Sequence, residues 1–221
     1  MTDKLKVLLL VGGAWYHDQP EHRQVLSNML ADAFALTMAD QASVLTEENL
    51  AQYDVIADYS SWWEPSDAQN KALLDAVADG KGYACLHPAS ASFFNSADHI
   101  EMIGGHFVMH DQFKSFAVEV NKPDCYERWL VDHGQAERRD VHPIIDGIED
   151  FKVADELFYI QGNQTEWNIL ARAEGHPVVF AKSWAKGRVV NIALGHDDRC
   201  LTNPNVERIY VRGIQWAGGD L

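Results

Sequence analysis

The stretch Gly187 to Asp198, GRVVNIALGHDD, sets three side chains able to move protons or bind a metal directly behind an apolar run. Arg188 to Leu194 reads as a strand that stops at Gly195, and His196, Asp197 and Asp198 come immediately after it. Two other apolar runs end the same way. Lys6 to Val11 leads into GGAWYHD and delivers His17, and Gly82 to Leu86 leads into His87-Pro88. In open parallel sheets, ligands bind outside the carboxyl ends of the strands. If these three strands are parallel neighbours, histidines from distant parts of the chain meet at one edge. Imidazole titrates near neutral pH and is a common metal ligand, so such a meeting point suits acid–base or metal-assisted chemistry.

The elements that must position these residues are legible in outline. Val7 to Val11 is continuously apolar and ends in Gly12-Gly13, as a strand buried on both faces does. Pro20 to Phe34 has helical spacing through Val25, Leu26, Met29, Leu30 and Ala33. Phe34 to Met38 and Asp54 to Asp58 read as further strands, the latter emptying into Ser60-Ser61-Trp62-Trp63-Glu64-Pro65. Ser66 can cap a helix that runs to about Ala78 and ends at Asp79-Gly80. This alternation predicts a doubly wound, mainly parallel sheet. The second half is less regular. Phe113 to Val120 alternates apolar and polar residues, which predicts a half-exposed antiparallel strand. Leu157 to Ile160 and Val178 to Trp184 are strand candidates, Lys186-Gly187 is a hairpin-like turn, and Asn205 to Trp216 is a closing amphipathic helix. With no repeat or low-complexity tract, residues 1–221 read as a single domain.

Composition narrows the function classes. Acidic residues outnumber basic ones 33 to 18, for a net charge of −15, and that field repels a phosphate backbone. Nucleic acid is therefore not an expected partner. No apolar stretch is long enough to span a bilayer, so no membrane partner is expected and the protein reads as cytoplasmic. Cys85, Cys125 and Cys200 form neither a disulfide framework nor a CxxC site, and reduced thiols are expected. No nucleotide cofactor is expected. The sequence leaves room for a homo-oligomer.

Several segments together resemble a known family. They are GGAWYHD, GKGYACLHPA, GGHFVMH at Gly104 to His110, HPIIDGIEDFKVADELFY, KSWAKGRVVNIALGHDDR and GIQWAGG. In this order, almost end to end, they resemble the ThuA-like family of trehalose-utilisation proteins. The resemblance implies the flavodoxin-like three-layer α/β sandwich of class I glutamine amidotransferases. It also implies a role in breaking down disaccharides, including 3-keto sugars, and an association with zinc.

Carried onto this chain, the resemblance adds His110, the histidine of the family's GGxFxxH pattern, whereas His106 falls at a variable position. The i, i+4 spacing of His106 and His110 would put both on one face of a helix, but no Glu stands beside His106, so the HExxH pattern is absent. His17, His87, His110 and His196 are the candidate zinc ligands, with Asp197 as ligand or orienter. A metal-free cluster acting in acid–base catalysis is the competing reading of the same histidines, with His87, His110, His196 and Asp197 as catalytic candidates. Asp155-Glu156 matches the family's DELY motif, with Phe158 in place of Tyr, and Glu156 is a substrate-binding candidate. So are Trp15, Trp62 and Trp63, because indole faces stack on the C–H faces of sugar rings. The resemblance thus implies a glycoside or keto-sugar as substrate, or, as an alternative, as the ligand of a non-catalytic sugar-binding protein with the same fold. Cys85, His196 and Asp198 also match the order of an amidotransferase thiolate, base and orienter. Against that, Cys85 is succeeded by Leu86-His87 instead of small residues. His142-Pro143 reads as a structural turn, and His22, His99, His133 and His176 are expected on the surface.

Overall fold

The computed structural model describes residues 4–123, 125–135 and 140–221. The first half alternates strand and helix: β1 (Lys6–Gly12), α1 (Pro20–Ala31), β2 (Ala35–Ala39), α2 (Glu47–Leu50), β3 (Val55–Ser60), α3 (Asp67–Ala78) and β4 (Gly82–Leu86). A 3-10 turn over His87–Ala91 leads to α4 (Ala97–Met102) and β5 (Gly105–His110). Then come β6 (Lys114–Val120), α5 (Cys125–Asp132), β7 (Phe151–Asp155), β8 (Phe158–Gly162), β9 (Asn168–Ala173) and β10 (His176–Trp184). The chain closes with β11 (Gly187–Ile192), α6 (Asp198–Leu201) and α7 (Pro204–Gly218).

Among the described residues, nine strands make one sheet in the order β2-β1-β3-β4-β11-β10-β9-β6-β7, and β5 and β8 form a separate antiparallel pair. The first five positions are mutually parallel. The last four are antiparallel additions, joined through the hairpin from β10 to β11. The sheet therefore combines the expected parallel half with an antiparallel wing.

Side-chain alternation along the strands sorts the core into two layers. Val7, Leu9 and Val11 of β1 face one layer, where α1 contributes Leu26 and Leu30 and α7 contributes Val206, Ile209, Tyr210 and Ile214. Leu8 and Leu10 face the other, with Leu73 and Val77 of α3 and Met102 of α4. Burying each such aliphatic side chain contributes roughly 2 kcal/mol, so α7 is held mainly by its apolar face. Its ends are marked locally: Asn203 accepts from Asn205 N, Pro204 opens the helix, and Gly219 closes it in the left-handed conformation. Ser66 and Gln69 form a reciprocal capping box at the start of α3.

Several expectations are refined. Pro20 to Phe34 is helical only to Ala31, and β3 continues to Ser60, closer to the tryptophans than expected. The half-exposed antiparallel strand at 113–120 is present as β6, with strict alternation of burial. His106 and His110 lie on a strand, β5, not on a helix, because the segment pairs with β8. His22 and His99 are buried instead of exposed, whereas His133 and His176 are on the surface as expected. Each of the two buried rings has a hydrogen-bond partner beneath the surface, which spacing cannot reveal. His142 does cap a 3-10 turn, its Nδ1 accepting from Ile144 N.

Candidate functional site

The loops after the carboxyl ends of β1, β3, β4 and β11, neighbours in the sheet, converge at one edge, the candidate cleft. His17 comes after β1, Trp62 after β3, His87 after β4 and His196 after β11. Ligand atoms of His17, His87, His196 and Glu156 all lie within 4.8 Å of one another. The ring centroids of His17 stand 5.3 Å from His87 and 5.0 Å from His196.

His87 is the most constrained member. It is buried and sits at φ 24°, outside the usual range for an L residue, where β4 turns into the 3-10 segment. Its Nδ1 lies 2.9 Å from the carbonyl oxygen of Ala193. A carbonyl only accepts, so Nδ1 carries the proton and Nε2 presents a bare lone pair. That Nε2 is buried and has no hydrogen-bond partner. His17 Nε2 meets His196 Nδ1 at 3.0 Å, and its own Nδ1 is also buried without a partner. His22 holds the His17 backbone, its Nδ1 donating to the His17 carbonyl at 3.1 Å.

Glu156 reaches both remaining histidines. Its Oε2 lies 3.2 Å from His196 Nδ1 and its Oε1 lies 3.7 Å from His110 Nδ1. His110 stands outside the compact group, partly exposed, with Nδ1 donating to the carbonyl of Asp111 at 2.7 Å. Its Nε2 is therefore the free nitrogen.

The turn that carries His196 is held by hydrogen bonds from several elements. Tyr210 donates to the Leu194 carbonyl at 2.7 Å, and Tyr59 donates to the Gly195 carbonyl at 2.6 Å. The two oxygens of the buried Asp155 accept from Gly195 N at 2.8 Å and His196 N at 2.9 Å. Gly195 has φ +124°, and a Cβ there would stand 2.3 Å from the Tyr210 hydroxyl, so this position requires glycine. In the sequence Asp155 is recognisable only as part of a motif. Its service to the Gly195-His196 turn depends on β7 ending beside the loop after β11, a long-range placement without a local signal.

The electrostatics arise from burial. Desolvation, with the neighbouring His196 second, lowers His17 to about 3. Desolvation lowers His196 to about 4 and holds His87 well below the usual imidazole range, with His17 next in weight for the latter. All three rings are thus neutral at neutral pH, the form that offers lone pairs to a metal. Burial raises the carboxyl of Glu156, with His110 pulling the other way, and raises Asp155 to about 6.

Other sequence candidates fall elsewhere. Asp197 caps α6, accepting from Arg199 N at 2.9 Å and pairing with the Arg199 side chain. Burial raises its carboxyl, but the Arg199 contacts outweigh this and hold it below the usual range. It is absent from the compact ligand group. Trp15 and Trp62 stand at the surface, 75% and 51% exposed. Trp62 donates to the Tyr16 hydroxyl at 2.9 Å and lies beside Phe94, whereas Trp63 packs onto the second core layer. Cys85 is buried in that same layer, and desolvation, then Asp58, push its thiol well above the usual range. Asp198 approaches His22 at 3.8 Å. An enclosed, protonated thiol is inert, so the thiolate mechanism gains nothing from this arrangement. The side chain of Cys125 lies outside those described.

The model of the family described as trehalose utilisation matches residues 6–217. The chain belongs to the ThuA family. A ThuA-like protein from Parabacteroides merdae superimposes with a TM-score of 0.79 at 17% identity, covering 98% of this chain and 90% of that one. One from Bacteroides uniformis gives 0.72 at 16% identity, with 98% and 93% covered. A glutamine amidotransferase from Thermotoga maritima gives 0.51 at 8% identity, with 85% and 74% covered. At these identities the structural likeness speaks for the fold, which is the flavodoxin-like, glutamine amidotransferase-like α/β sandwich. No curated protein matches the sequence.

Proposed function

We propose that this ThuA-family chain is an enzyme acting on a glycoside or keto-sugar, through a zinc ion held by His17, His87 and His196 with Glu156 beside it. The observation that carries this reading is the buried, bare Nε2 of His87 within a group of three neutral imidazoles and one carboxylate. Three nitrogens and an oxygen are a donor set that suits zinc. The proton held by the Ala193 carbonyl on the far side of the His87 ring is the usual way a ligating imidazole is oriented. When bound, the metal would polarise a sugar oxygen and acidify a coordinated water.

The chain's own residues supply the rest. Glu156 would complete the donor set as a carboxylate; without the metal, its carboxyl, raised by burial, can hold a proton beside His196. His110, with Nε2 free at the rim, can take a proton from a sugar hydroxyl or from a carbon beside a ketone. Trp15 and Trp62 offer exposed faces for stacking against a sugar ring. Hydrolysis, elimination and isomerisation share these requirements.

The decisive measurement is metal content. Protein purified without chelator and supplied with zinc is expected to hold about one ion per chain, located at the histidines by anomalous scattering at the zinc edge. No zinc at the histidines would remove the metal reading. A metal-free acid–base cluster would then stand, favoured by the 3.0 Å contact between His17 Nε2 and His196 Nδ1.

A further inference from the structure

Beneath the cleft, on the α3 and α4 side of the sheet, a chain of buried polar groups runs from α4 to the turn that presents Trp62. The Tyr83 hydroxyl, on β4, donates to Asp58 Oδ2 at 2.6 Å. That hydroxyl has one proton, so its oxygen accepts at 3.1 Å from His99 Nε2, which must carry the ring's hydrogen. The other oxygen of Asp58 accepts from Ser60 N at 2.8 Å. Ser60 Oγ meets Ser92 Oγ at 3.1 Å, and Ser92 Oγ accepts from Trp63 N at 3.3 Å. A second connection runs through packing. The Phe93 ring stacks on His99 with centroids 4.1 Å apart and planes 12° apart, and Phe93 N donates to the Trp63 carbonyl at 2.7 Å.

Both routes end on the same residue. Ser92 holds the N–H of Trp63 and Phe93 holds its carbonyl, while Trp62 N donates to the Ala91 carbonyl at 3.0 Å. Trp62 and Phe93 are non-glycine residues at φ 59° and 58°. A backbone in that region persists only where the surroundings over-determine it. Here the surroundings are this polar chain and the His99–Phe93 stack. Tyr83, His99, Asp58 and Ser92 are all at most 1% exposed, so none of them touches a ligand in the cleft.

We infer that Tyr83 and His99 are positioning residues: through Asp58, Ser92 and Phe93 they set the turn that holds the Trp62 indole against Tyr16, whose ring packs on His17. The consequence for catalysis rests on the proposed sugar-directed function. The positioning itself does not.

The test labels the full chain with 5-fluorotryptophan and reads 19F resonances, with Trp62 and Trp63 assigned by single Trp→Phe variants. Tyr83→Phe removes one hydroxyl and keeps the ring. Its Trp62 and Trp63 lines are expected to shift or broaden, while that of Trp216, which packs against the opposite core layer, stays in place and zinc uptake is unchanged. Ser92→Ala cuts the same chain near its far end and is expected to give the same local pattern, which covers failure of Tyr83→Phe to fold. Unmoved Trp62 and Trp63 lines in a folded variant of either kind would overturn the inference. So would a general displacement of all tryptophan lines, since that is what mere loss of stability produces. The functional reading fails separately: a wild-type protein that takes up no zinc and binds no disaccharide or 3-keto sugar would sink the proposed activity and leave the 19F result intact.

Discussion

At the scale of single residues, the site is a set of imidazoles forced to stay neutral. His87 has one nitrogen committed to a backbone carbonyl and the other turned to the cluster, so its substitution separates ligation from packing. His87→Ala is expected to lower zinc stoichiometry and to abolish zinc-induced stabilisation. In wild type that stabilisation should reach about 2.7 kcal/mol when free zinc is a hundredfold above its dissociation constant, readable as a zinc-dependent shift in the urea midpoint. If the variant is stabilised by zinc as strongly as wild type, His87 is not a ligand. Trp62 makes a different prediction, because it is half exposed and its indole is held by the Tyr16 hydrogen bond and the Phe94 contact. A stacked ring contributes on the order of 1 kcal/mol beyond area burial, so Trp62→Ala should weaken sugar binding about fivefold without affecting zinc. Calorimetric titration of both proteins with disaccharides and their 3-keto forms checks this, and equal affinities would detach Trp62 from the ligand.

At the scale of elements, the cluster exists because four strand ends are neighbours and because one turn is clamped from outside the parallel half. β7 lies at the far edge of the antiparallel wing, yet its last residue, Asp155, reaches the turn after β11. Removing that carboxylate leaves a buried and a part-buried N–H group without acceptors. Each such group costs roughly 1–3 kcal/mol, so Asp155→Ala should destabilise the protein by about 3 kcal/mol and loosen His196. Gly195→Ala should act on the same turn by another route, through its positive φ and the clash with the Tyr210 hydroxyl. Urea denaturation measures the first effect; reduced zinc affinity in both variants measures the second. A fully stable Asp155→Ala that keeps wild-type zinc affinity would show that the clamp is dispensable.

At the scale of the whole molecule, burial of neutral histidines makes stability depend on pH. His17 and His99 are lowered to about 3, His196 to about 4, and His87 is also lowered, each chiefly by desolvation. In the unfolded chain these rings titrate near 6.5. Between that value and the folded ones the unfolded state binds more protons, so their stabilisation is full above about 6.5 and is lost as pH falls. Asp155, raised to about 6, and Asp58 and Glu156, also raised by burial, act in the opposite sense, since as pH falls the folded state takes up their protons before the unfolded state does. The histidines begin first, because their unfolded-state titration starts above the folded value of Asp155, and five rings, His142 among them, are displaced in the same direction. Zinc-free protein should therefore lose stability from pH 7.5 to pH 5.5, with proton uptake on unfolding. Urea curves at the two pH values provide the check, and a constant or rising stability would mean that the rings are not held neutral.

The parallel half is legible in the residues because its strands are buried on both faces and are therefore continuously apolar, and because each empties into a turn with a chemical side chain. That pattern locates His17, His87 and His196 as one group from sequence alone, and the order of motifs identifies the family. The separation of roles within the group is not legible. His110 and Asp197 carry the same chemical promise as the others in sequence, yet one sits at the rim behind Glu156 and the other caps a helix. His99 reads like a surface residue because a lone histidine in a polar segment has no periodic signature, whereas its burial comes from Tyr83 and Phe93 packing over it. Local sequence determines which strands form and which side chain stands at the end of each, since backbone periodicity and turn chemistry act over a few residues. Which carboxylate clamps which turn, which ring nitrogen is left bare and which tryptophan faces outward depend on contacts between residues as far apart as Asp155 and His196, and only the closed sheet decides them.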